Sequence, residues 1–254
     1  MIYDTQIISY CYSGHWGEKS VLDAQISSVT ASEFLLFHTR ENNKADYYVI
    51  NPMWFGNGPA LPSMNEIFKN PKWAKLGARR TDSITIDLNG DFDSYRMFGN
   101  EAISEIINNK SMNIFEISIA HMNKNRQRIL KEKMEFLLDN NVYCHRLSNN
   151  DCELAMVLLS EFTKAFQVKN NIKNTVNDLL ILATAINQGL DLNTEDKVLG
   201  KFANDHYNAK VIDKSDSVIV SFPSKEETQG IRKKLDSKGY INRGWNFSLR
   251  KGNF

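Results

Sequence analysis

The segment NDLLILATAINQGLDLN, residues 177–193, constrains the fold more than any other part of the chain. It reads as a helix that opens at Asp178, is apolar on nearly every side through Leu179, Leu180, Ile181, Leu182, Ala183, Ala185 and Ile186, and closes at Gly189. A helix without a polar face has to be packed between other elements. The short strand LDLN follows at once, and Thr194, Glu195 and Asp196 begin whatever comes next.

The same strand-then-acid-then-helix order recurs at the other end of the chain. MIY is a short apolar strand that stops at Asp4, and TQIISYCYS after it has helical apolar spacing up to Gly14. QISSV reads as a second strand, and TASEFLLFHTR places Thr30 and Glu33 at capping-box spacing, so that Glu33 also falls in an opening turn. Each acid taken singly is explained by capping, because carboxylates accept unpaired N–H groups and complement the positive end of a helix. Capping does not require a shared location, however. Alternating strands and helices imply an α/β fold with a mainly parallel sheet, whose strand-to-helix turns lie along one edge. Asp4, Glu33, Asp178 and Asp196 then converge there.

Crowded carboxylates repel one another, which raises their pKa values unless a cation neutralises them. Oxygen-only donors suit a hard divalent ion, Mg²⁺ or Mn²⁺, and the lack of His and Cys among the four disfavours zinc. An ion of that kind lowers the pKa of bound water and neutralises charge on a phosphorus under attack, which is phosphodiester hydrolysis.

The motifs MIYDTQIISYCY, SSVTASEFLLF, NDLLILATAINQGL and LNTEDKVLGKF, in that order, resemble the four motifs of the PIN-domain family. The third and fourth carry most of the resemblance, which covers Met1 to about Arg40 and about Val142 to Val211. It implies a three-layer fold with a mainly parallel central sheet flanked by helices, and a metal-dependent endoribonuclease acting on an RNA substrate. It further implies Asp4, Glu33, Asp178 and Asp196 as metal ligands for Mg²⁺ or Mn²⁺, with Thr194 supporting the cluster. A non-catalytic module binding RNA or protein is the alternative. An antitoxin or other protein partner, or a second copy of the chain, fits relatives of this kind.

By this reading residues 1–41 and 114–214 form the nuclease core, 42–113 an insertion subdomain and 215–254 a basic and aromatic extension. The 254 residues, 42% hydrophobic, are enough for a real core. Residues 225–254 hold eight basic and three acidic side chains, so the net charge of +1 hides an acidic body with a basic end. Within the insertion, FKNPKWAKLGARR interleaves Lys72, Lys75, Arg79 and Arg80 with Trp73, a pattern suited to single-stranded RNA or to a solvated loop. Asn123–Asn141 reads as an amphipathic helix with an apolar stripe from Ile129 to Leu138. The three cysteines make no CxxC pair and read as reduced packing residues. No apolar run is long enough to span a membrane and no basic-then-apolar leader is visible, so a cytoplasmic protein is expected.

Overall fold

The computed structural model of the chain describes residues 1–15, 21–35, 37–38, 45–46, 82–88, 94–120, 122–166, 172–207, 209–214, 217–222 and 246–250. From the N-terminus, β1 (Ile2–Tyr3), α1 (Thr5–Ser13), β2 (Gln25–Ser27) and α2 (Ser28–Phe34) lead into a short strand pair, β3 (Phe37–His38) and β4 (Ala45–Asp46). Next come β5 (Ser83–Asp87), β6 (Tyr95–Phe98), α3 (Asn100–Asn108), α4 (Met112–Ile119), α5 (Lys124–Asp139) and β7 (Tyr143–His145). The remainder is α6 (Asn149–Ala165), α7 (Ile172–Gln188), β8 (Leu192–Thr194), α8 (Lys197–Tyr207), β9 (Lys210–Lys214), β10 (Ser217–Ser221) and β11 (Asn246–Arg250).

The central sheet has the order β7-β2-β1-β8-β10-β9. Its first four strands are parallel, β10 runs antiparallel to β8, and β9, antiparallel to β10, returns to the direction of the first four. The expected α/β fold with a mostly parallel sheet between helical layers is therefore observed. The strands are short because apolar runs such as MIY end at polar residues, and they bury both faces. Ile2 belongs to the core built with α6, α7 and α8, whereas its neighbour Tyr3 packs on the second core with α1 to α5. Helix α7 is enclosed as its sequence requires: every residue from Leu179 to Ala185 is at most 1% exposed.

Several local expectations hold. Gly14 ends α1 in the left-handed conformation, at φ 72°. Helix α5 is capped by Asn123 and buries Leu130, Met134 and Leu137. Cys144 and Cys152 are buried free thiols, and burial holds both thiol pKa values above their ordinary range.

Two helix starts differ from the sequence reading. Helix α2 begins at Ser28 and its cap is Ser27, whose Oγ accepts from Thr30 N at 3.1 Å, so the Thr30–Glu33 capping box does not form. Glu33 consequently lies in the last turn of α2. Asp178 does not open its helix either, because α7 starts at Ile172 and carries Asp178 in its second turn. Both differences have one cause. Capping patterns recur by chance along a sequence, and tertiary packing selects which polar residue stands at the first free N–H groups.

The described residues between β4 and β7 pack on the same cores as the rest. Ile84, Ile86, Tyr95 and Met97 join α6 and α7, and β5 pairs antiparallel with both β6 and β11, so strands distant in sequence share one sheet. Helix α3 closes the β7 edge of the main sheet with two carboxamides. Asn108 accepts from Cys144 N at 2.8 Å and donates to Cys144 O at 3.0 Å, and Asn100 makes the same pair with Leu147 at 2.8 and 3.2 Å. Each stands in for a missing neighbour strand.

Candidate metal and active site

Asp4 ends β1 and caps α1, with its Oδ1 accepting from Thr5 N at 2.6 Å. Its Oδ2 accepts from Thr194 Oγ1 at 2.6 Å, a contact made because β1 and β8 are parallel neighbours whose C-terminal ends coincide. Thr194 Oγ1 in turn accepts from Asp196 N at 3.0 Å. Asp196 caps α8 through its Oδ1, which accepts from Val198 N at 2.8 Å and Leu199 N at 3.0 Å. For these two acids the capping explanation is true, but for Asp4 it is incomplete.

Asp4 is 7% exposed. Burial, opposed by the hydrogen bonds from Thr194 and Thr5 and reinforced by the charges of Glu33 and Asp196, pushes its carboxyl up to about 6. An ordinary cap lowers a carboxyl, since the ionised form is what the helix end favours. The rise marks burial above all, to which the charges of Glu33 and Asp196 add smaller contributions.

Glu33 reaches this group from α2. Thr5 Oγ1 donates to its Oε2 at 2.6 Å, so one threonine links Asp4 through its amide and Glu33 through its hydroxyl. The other Glu33 oxygen, Oε1, accepts a short hydrogen bond from Asn177 Nδ2, and Asn177 Oδ1 accepts from Tyr95 Oη at 2.8 Å. Asn177, at 4% exposure inside α7, is therefore a bridge between Glu33 and Tyr95. Asp178 follows it in the chain and is half-buried.

The structure thus ties Asp4, Glu33, Thr194 and Asp196 into one group at the C-terminal edge of the parallel strands. It does not close them into a finished cage. Among the described residues no three His, Cys, Asp or Glu side chains stand together as a group that could hold an ion. The donors present are all oxygen and Asp4 is destabilised when ionised, which suits a hard divalent cation in kind. Lys72, Trp73, Lys75, Arg79 and Arg80, expected at an RNA surface, lie outside the described residues.

Three contributors escape a reading by motif. Thr5 stands directly after Asp4 and Asn177 directly before Asp178, so their proximity to the acids was visible, although their bonds were not. Tyr95 has no local signal, since 82 residues separate it from Asn177. No family model, curated protein or solved structure matches this chain. Among the described residues no helix is long and apolar enough to cross a membrane.

Proposed function

We propose that the chain is a PIN-like, divalent-metal-dependent endoribonuclease. The observation that supports this reading most is geometric: Thr5 bonds both Asp4 and Glu33, and Thr194 bonds both Asp4 and Asp196, so that three acids from separate parts of the chain are linked at the carboxyl ends of parallel strands. Acids brought from separate parts of the chain to one sheet edge, against their mutual repulsion, are what a cation site requires and what capping does not.

In this reading Asp4, Glu33, Asp178 and Asp196 hold Mg²⁺ or Mn²⁺. When bound, such an ion supplies an activated water at neutral pH and neutralises charge on the phosphate. The protein's own residues do the positioning. Thr194 steers Asp4 Oδ2, Thr5 holds Asp4 and Glu33 in one frame, and the start of α8 fixes Asp196.

The second reading is a domain that binds RNA or a protein without cutting; among the described residues no three acids form a ready ion-holding group, which is compatible with either reading. Asp178→Asn separates the two. Under the first reading the purified chain with Mn²⁺ cleaves single-stranded RNA, and the variant binds the same RNA but loses cleavage by about 100-fold or more, the scale of removing a group that acts on developing charge. RNA binding without cleavage by the wild type establishes the second reading instead.

A further inference from the structure

We infer that Tyr95 is a positioning residue of the carboxylate site, acting through Asn177 to fix the direction in which Glu33 presents its oxygens. The inference rests on the metal-site reading above and extends it to a segment that no motif of the sequence includes.

The order of donors along the chain of bonds is forced. An ionised Glu33 can only accept, so Asn177 must turn its amide nitrogen toward Oε1, which leaves its Oδ1 to face Tyr95. Tyr95 Oη then has to donate, at 2.8 Å. Tyr95 is 5% exposed and Asn177 4%, so water competes poorly for either group. With Thr5 on Oε2, both Glu33 oxygens are addressed by fixed donors from different elements, α1 and α7. Removing the hydroxyl leaves Asn177 Oδ1 buried without that partner and removes one of the two bonds that fix its carboxamide.

Partners of this kind, lying behind metal-binding carboxylates, orient them, and losing one typically costs 10- to 100-fold in metal affinity or activity. Tyr95 comes from β6, whose neighbour β5 also pairs with β11. Strand β6, which lies between the second and third motifs, is on this account a working part of the site.

The test uses Tyr95→Phe in the full chain, which keeps the ring and its packing, with Asn177→Leu as a second variant that removes both bonds at nearly constant volume. The Mn²⁺ concentration needed for a fixed rise in melting temperature over the EDTA value should increase about 10- to 100-fold in either variant, and cleavage at subsaturating Mn²⁺ should fall in step. A purely structural role predicts a lower melting temperature in EDTA with an unchanged Mn²⁺ requirement, and that result overturns the inference. Failure of the metal reading shows separately, as a wild type with neither Mn²⁺ stabilisation nor cleavage. In that event NMR of the metal-free chain decides. Slowly exchanging Asn177 Nδ2 protons that are lost in Tyr95→Phe, with a displaced Glu33 carboxyl resonance, uphold the positioning, and unchanged resonances overturn it.

Discussion

Asp4 shows how a residue can serve two ends of a structure at a cost to stability. Its Oδ1 caps α1 and its Oδ2 takes the Thr194 hydroxyl, yet the carboxyl is still pushed up to about 6. An unfolded aspartate titrates near 3.9, so between about pH 4 and 6 the folded chain binds more protons than the unfolded one. Stability therefore falls as pH rises through that window, and at neutral pH the ionised Asp4 works against folding by an amount on the order of 2 to 3 kcal/mol. Asp4→Asn removes that charge. In EDTA the variant should melt about 4–10 °C above the wild type at pH 7.5, converging with it near pH 4, as read by circular dichroism. A variant that melts lower at pH 7.5 contradicts the account.

At the scale of elements, caps come from wherever the fold brings them. Helix α3 is preceded at its N-cap position by Gly99, at φ 72° with no side-chain cap of its own, and Asp82 supplies one from 17 residues upstream. Its Oδ2 accepts from Glu101 N at 2.8 Å and its Oδ1 from Ala102 N at 3.3 Å. Asp82→Ala should cost about 0.5–2 kcal/mol, seen as a melting point lower by roughly 2–4 °C per kcal/mol. The sheet edge gives a parallel case. Asn108→Ala strips Cys144 of two bonds, and hydrogen exchange at the Cys144 amide should accelerate more than at the Ile26 amide on the neighbouring strand β2. Local reading found α1, α5 and the enclosed α7 because apolar periodicity decides those elements. It misplaced the start of α2 by assigning the cap to Thr30 instead of Ser27, and that of α7 by assigning it to Asp178 instead of Ile172.

For the whole molecule, a group of acids gathered at one edge should respond to a cation as a unit. Mn²⁺ at 100 times its dissociation constant should stabilise the wild type by about 2.7 kcal/mol, and the effect should be lost in Asp4→Asn even though that variant starts from a higher melting point. Opposite signs in the two solutions, gain in EDTA and loss of the Mn²⁺ response, distinguish a site from a cap. The sequence determined the alternation of short apolar strands with helices, the enclosure of α7, and acids at the ends of β1 and β8. Those features follow from periodicity and chain polarity, which are local. Only the tertiary structure decided that Glu33 and Asp178 start no helix, that Thr5 joins two acids, and that Tyr95 reaches Asn177 across 82 residues. Hydrogen bonds of that span depend on which surfaces pack together, and no pattern within a single segment encodes the meeting of two faces.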